Sequence, residues 1–326
     1  MYKKYLIPII LITCLASCSN EKQKTIKKLR EEPVAKLESY GKNLDVPLKD
    51  RVFDAPLFLI DYLKRLDETD AYKPYKISAR DKQEIEKCLF QLPEKIKTVL
   101  DKKLLGIFFV DEFMGGGLTD YVFDRKGNLY SIMILNPKIL KTSMSDWINY
   151  RDNSIFNETK GITVKSICKP GAQQLLHTLV HEISHVYDYH MYVTPYTDPG
   201  LTIFKTSDTS EFIDNVWESY YKPVKEYDFP NRDNLSFYGL GDKKTNSSYA
   251  AELYRDLLTT PFSSIYGAAS WAEDFAEAFT WFYLKKRFGI EYTVNVYRDK
   301  TLLISFSPSK NKKIEQRIKI LEELMN

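Results

Sequence analysis

The chain has 326 residues, 44% of them hydrophobic and 28% charged, with 13 glycines. This is ordinary globular composition, long enough for one large domain or two smaller ones, and it excludes collagen-like and wholly disordered chains. The formal net charge of +3 includes Lys3 and Lys4, which lie in a segment expected to be removed, leaving +1; with no basic stripe, this argues against a nucleic-acid partner.

The first predicted element is "MYKKYLIPIILITCLASCSN". Two lysines, an apolar run from Leu6 to Leu15 and then small residues follow the order of a secretory signal. The run is too short to span a bilayer as a stable helix. "LASC" at 15 to 18 resembles the lipobox of bacterial lipoproteins, in which the cysteine is acylated and becomes the first residue of the mature chain. By that resemblance, 1–17 is a signal peptide and Cys18 anchors an exported protein to a membrane, facing the periplasm or the cell exterior. Cys14 then leaves with the signal, so only Cys88 and Cys168 remain, as a disulfide or as separate buried thiols. No CxxC occurs, so cysteine ligation of a metal is not expected. Residues 19–50, rich in Lys, Glu and Gln, read as a solvated tether, so that 18–50 is anchor and tether and 51–326 the folded body.

Within the body, "SARDKQEIEKCLFQLPEKIKTVLDKKL" (78 to 104) has helical charge spacing, with Ser78 as N-cap and Pro93 dividing it. "GIFFVDEF" (106 to 113) predicts a strand. "GGGLTDYVFDRKGNLYSIMILN" (115 to 136) predicts two more around a turn at Arg125 to Asn128. A small sheet followed by helices is an α+β order.

All four histidines fall within "HTLVHEISHVYDYH", 177 to 190. Leu175, Leu176, Leu179, Val180, Ile183 and Val186 recur at helical spacing, which predicts a largely buried helix. "HEISH" fits HExxH: His181 and His185 stand on one face, one turn apart, where two imidazoles can share a tetrahedral ion. Glu182 is offset enough to polarise a water instead of ligating. A glutamate on an apolar helix is costly to bury unless something cationic compensates it, which argues against a plain surface helix. His177 is eight residues from His185, about 12 Å along the axis, too far to share one ion. It is expected to be packed or to sit behind a ligand, and His190 receives no role.

A third ligand is sought in "SIYGAASWAEDFAEAFTWFYL", 264 to 284. Trp271, Phe275, Ala278, Phe279 and Phe282 make an apolar helical face, while Glu273 and Glu277 stand four apart on another. Two acids so placed repel each other and invite a cation. Glu273 would complete a His, His, Glu set for Zn, and Glu277 would orient a ligand histidine from behind. Asp274 points about 100° away and is left out.

HExxH followed by "EDFAEAF" resembles the gluzincin metallopeptidases, and more closely the catalytic domain of anthrax lethal factor and its relatives. The resemblance implies a zincin-like fold, with His181, His185 and Glu273 as zinc ligands and Glu182 as general base. It extends to "YG" at Tyr266 and Gly267, implying that Tyr266, seven residues before Glu273, stabilises the transition state. Asp188, three residues after the second histidine, also matches a family aspartate and is placed behind the ligands. The match covers mainly 171–190 and 264–282, with a looser echo at "SEFIDNVWE" (210 to 218). Eighty-seven residues lie between His185 and Glu273, considerably more than in lethal factor. The enlarged spacer, 195–262, reads as a lid or substrate-selecting wall, or equally as a peripheral loop. It carries a second "FYG", which makes Tyr238 a rival to Tyr266.

The function so implied is a membrane-anchored zinc metallopeptidase acting on a peptide or protein substrate. By analogy the substrate lies along an edge strand, for which 129–136 is the candidate. Two other readings stay open: a zincin-fold surface lipoprotein that binds a partner without cutting it, and a zinc hydrolase of a non-peptide amide.

Overall fold

The computed structural model describes residues 31–195, 210–239 and 244–325. The expected signal peptide, Cys18 and parts of the spacer lie outside the described residues. Short 3-10 turns at Pro33–Ala35, Leu37–Tyr40 and Leu48–Asp50 lead into β1 (Val52–Asp54), α1 (Leu57–Leu66) and β2 (Lys73–Pro74). Then come α2 (Ala79–Phe90) and α3 (Glu94–Lys103). The Ser78 hydroxyl caps α2 by accepting from the Asp81 amide at 3.1 Å, and Pro93 stands at the N-cap of α3. A proline cannot continue a preceding helix but suits the start of the next. The two predicted halves are therefore separate helices.

Three strands follow, β3 (Leu104–Asp111), β4 (Gly117–Phe123) and β5 (Leu129–Leu135). The turn between the last two is closed by Asp124, whose Oδ1 accepts from the amides of Lys126 and Asn128, with Gly127 at φ 82°. The sheet runs β1-β3-β5-β4, with β2 also paired to β3. β1 and β5 lie parallel to β3, while β4 lies antiparallel to β5. The expected edge strand, 129–136, is thus interior: β5 is paired on both sides, and β4 is the edge. The run "IMIL" fits an interior strand buried on both faces.

Alternate side chains of β3 and β5 divide between two cores. Ile107, Phe109, Met133 and Leu135 face one; Phe108, Val110, Ile132 and Ile134 face the other. The second core is closed by Leu59, Ile60 and Leu63 of α1 together with Val34 and Tyr40. The solvated tether expected up to residue 50 therefore ends sooner, because residues 33–50 cover a sheet face that would otherwise be wet. Burying one such side chain contributes about 1.5–3 kcal/mol. Tyr40 donates its hydroxyl to the Val34 carbonyl, and the buried Arg51 guanidinium donates to the carbonyls of Leu44, Val46, Leu100, Asp101 and Leu104. A few apolar anchors in a polar segment are what average composition hides.

The first core is built by α4 (Met144–Asn153), β6 (Phe156–Asn157), β7 (Ile162–Ile167) and α5 (Gln174–Met191). Within the spacer are β8 (Trp217–Ser219), β9 (Lys222–Pro223), β10 (Thr245–Asn246) and α6 (Ala250–Leu257). The chain ends with α7 (Trp271–Phe288), β11 (Thr293–Arg298), β12 (Thr301–Phe306) and α8 (Glu315–Met325). β11 pairs antiparallel with both β7 and β12, and α5 packs against α7. Among the described residues, the eight α-helices named and several small sheets make a mixed architecture compatible with the expected α+β class. Cys88 and Cys168 are separate thiols. Among the described residues no helix is long and apolar enough to cross a membrane.

Candidate metal centre

The crossing of α5 and α7 brings together residues far apart in the chain. His181 Nε2 stands 3.1 Å from Glu273 Oε2, and His185 Nε2 stands 3.6 Å from the same oxygen. One donor atom from each of the three residues lies within 4.8 Å of the others. The helix that carries Glu273 begins at Trp271. Ser270 caps it by accepting from the Glu273 amide, and this holds Glu273 in the first turn, facing the α5 histidines.

Two imidazoles and a carboxylate are a ligand set that suits zinc with a further position open. The electrostatics point the same way. Burial would raise the Glu273 carboxyl, but His185 and His181 hold it down at about 2. Burial would lower His181, but Glu273 and Glu277 push its proton affinity up to about 10. The carboxylates thus demand a positive charge between them, and a divalent ion competes with that proton for the same imidazole lone pair. Glu273 Oε2 is buried with no hydrogen-bond partner among the described residues, as is His185 Nδ1. The residues present fit a bound cation.

Glu277 lies one turn beyond Glu273, with Oε1 3.2 Å from His181 Nδ1, where a carboxylate can fix a ligand histidine's orientation. The same oxygen accepts from Arg151 Nη1 at 2.9 Å. Oε2 accepts from the Ser264 hydroxyl at 2.6 Å and Trp281 Nε1 at 3.1 Å. Burial would raise this carboxyl; Arg151 and the flanking histidines hold it well below the usual range. Residues 264–270 form the turn that carries Ser264, with a 3-10 segment at Gly267–Ala269.

Glu182 is buried, and its Oε2 accepts from the Thr119 hydroxyl of β4 at 2.8 Å. Burial raises its carboxyl above the ordinary value, against the opposing pull of His181 and His185. Gly117 makes room for it: a Cβ there would lie 2.8 Å from Glu182 Cγ. A cavity of about 140 Å³ opens beside these groups, lined on its other sides by Phe113, Met114, Leu118 and Tyr189 among others. Tyr266 and Tyr238 both line it, their ring centroids 6.3 Å apart. Tyr220 also lines it, so the described part of the spacer forms a wall of the cavity.

Asp188 does not bond to a ligand histidine. It accepts from the Thr194 amide at 2.6 Å and hydroxyl at 2.7 Å, closing the turn after α5. His177 packs 4.7 Å from the Trp281 ring with Nε2 3.7 Å from Glu277 Oε1, behind the ligands. Burial drives it down to about 3, so it is neutral at pH 7. His190 lies 3.0 Å from the Ser131 hydroxyl, away from the cavity. Asp274 pairs with Arg317, Nη1 to Oδ1 at 2.8 Å, and accepts from Trp217 Nε1.

Sequence reasoning missed three contributors. Thr119 and Gly117 sit on the strand facing α5, and the run of glycines at 115–117 was the available signal of a close backbone approach. Arg151 gave no signal, because its partner is 126 residues away. No protein-family model, curated protein or solved structure matches the chain.

Proposed function

We propose that the protein is a zinc-dependent metallopeptidase of gluzincin type with a zincin-like fold, exported and held at a membrane through Cys18. The observation that carries this reading is the convergence of His181, His185 and Glu273 beside a buried Glu182 in an open cavity. Zinc, when bound by those three residues, supplies Lewis acidity toward a carbonyl and acidifies water. Glu182 takes the proton of the attacking water and delivers it to the leaving amine. Thr119 holds its carboxylate in place. Glu277, itself fixed by Arg151, Ser264 and Trp281, orients His181. The edge strand β4 is the side along which an extended substrate would lie.

Zinc content and a peptide-library digest test the reading together. The chain without residues 1–18 should carry about one equivalent of zinc and cut some library members. Chelation should stop cleavage and added zinc restore it, while Glu273→Ala should lose most of the metal. Full zinc in Glu273→Ala would move the third ligand elsewhere; zinc without any cleavage would favour a binding protein.

Tyr266 is proposed to hydrogen-bond the developing oxyanion, with Tyr238 in the same cavity as its rival. Phenylalanine keeps the ring and removes only the donor. A hydroxyl used only in the transition state acts on kcat, so Tyr266→Phe should lower kcat by roughly 10 to 10³-fold with little change in KM. Tyr238→Phe should alter KM or nothing. The reverse pattern in steady-state kinetics would assign the role to Tyr238.

A further inference from the structure

Beside the main cavity lies a small annex of about 30 Å³, also lined by Glu182. The two spaces share the walls formed by Gly117, His181, Glu182, Tyr238 and Tyr266. The annex is also lined by Arg151, Gln174 and His177, which are 1%, 1% and 4% exposed and do not line the main cavity. Each keeps one polar atom without a partner among the described residues: Arg151 Nη2, Gln174 Oε1 and His177 Nε2. Unpaired buried donors and acceptors are costly, and three around one space call for a polar occupant.

The chemistry of that occupant follows from the walls. Arg151 Nη2 can only donate. Gln174 Nε2, also only a donor, faces His177 Nδ1 at 3.4 Å, which leaves the ring proton on Nε2. Gln174 Oε1 accepts. An occupant must therefore both accept and donate, as a hydroxyl or primary amide does. A carboxylate is disfavoured, because Arg151 is already engaged by Glu277 at 2.9 Å and Asp152 at 3.1 Å, and Glu182 lines the same space. A space of this size holds about two water-sized groups, which excludes long or aromatic side chains.

Resting on the metallopeptidase reading, we propose that this annex receives a serine, threonine or asparagine side chain of the substrate, close to the bond that is cut. Water fills such a space in the free enzyme, and a hydroxyl or amide replaces it while keeping its hydrogen bonds. An apolar side chain of the same shape would displace the water and leave the three atoms unpaired. Selectivity of this kind rests on rejection of the isostere more than on attraction of the right residue.

The test uses peptide pairs that differ only by isosteric exchange, threonine against valine and asparagine against leucine, placed in turn at each position within two residues of the cut. The zinc-loaded enzyme should prefer the polar member at one position by about 10 to 100-fold in kcat/KM. Gln174→Met removes the acceptor at similar length, and should reduce that ratio to about threefold or less with zinc content unchanged. A merely structural role for Gln174 would lower both members of a pair equally. Should that variant not fold, Gly116→Ala narrows the annex it also lines, its added Cβ lying 3.0 Å from Thr178 Oγ1, and should lower the same ratio. Cleavage with ratios near one at every position overturns the annex assignment alone. Failure to cut any peptide with zinc bound overturns it together with the peptidase reading.

Discussion

Glu182→Gln should keep its zinc and lose at least about 10²-fold in kcat/KM, the loss typical of a missing general base. The substitution is nearly isosteric, so Gly117 can still accommodate the side chain and the Thr119 hydroxyl can still donate to its oxygen. What disappears is the ability to take and return a proton. Burial raises the Glu182 carboxyl above its ordinary value, a shift that lets it hold the proton long enough to pass it on. Peptide hydrolysis and zinc content measured on the same preparation decide the matter. Activity within a few fold of wild type would remove Glu182 from the chemistry, and loss of zinc would make it a structural neighbour of the ligands.

Arg151→Met should be the most destabilising single change at the site. The arginine is 1% exposed and lies against two carboxylates that are wholly buried, Asp152 and Glu277. Methionine fills much of its volume but leaves both acids without their cation. Breaking a buried pair from one side costs about 3–5 kcal/mol, visible as a lower midpoint in urea at constant slope. Because Glu277 also faces His181, zinc affinity should fall about 10 to 100-fold in the fraction that remains folded. A loss below about 1 kcal/mol would mean that the acids find other partners or take up protons.

What could be read in advance depended on how local the cause was. Ser78 and Pro93 fix helix ends through their own backbone chemistry, so the α2 and α3 boundary was legible. The HExxH spacing placed two imidazoles on one face of a helix whatever surrounded it. Glu273 was found because two acids on an aromatic helix are anomalous in themselves. The order of strands was different: whether β5 is an edge depends on β3, which pairs with it in parallel through non-neighbouring residues such as Ile107 and Met133, across the intervening β4. That Ser264 serves Glu277 was not legible, because this is a tertiary need that helical periodicity does not record. Val34 and Tyr40 were lost in a segment whose average composition is polar, although two anchors suffice to lay it on a sheet.

The clasp between Asp274 and Arg317 has a bearing on how the protein is made. Asp274 is the residue after Glu273, its carboxylate fully buried, and the guanidinium that neutralises it is 43 residues further along. A ribosome releases that arginine only when nearly all of the described chain has been synthesised. Until then the helix bearing Glu273 has a buried acid held by Trp217 without its counter-charge, and burying a lone charge opposes docking of that helix onto the histidines. Docking of that helix, and with it the meeting of Glu273 with His181 and His185, is therefore coupled to the presence of α8, which supplies Arg317.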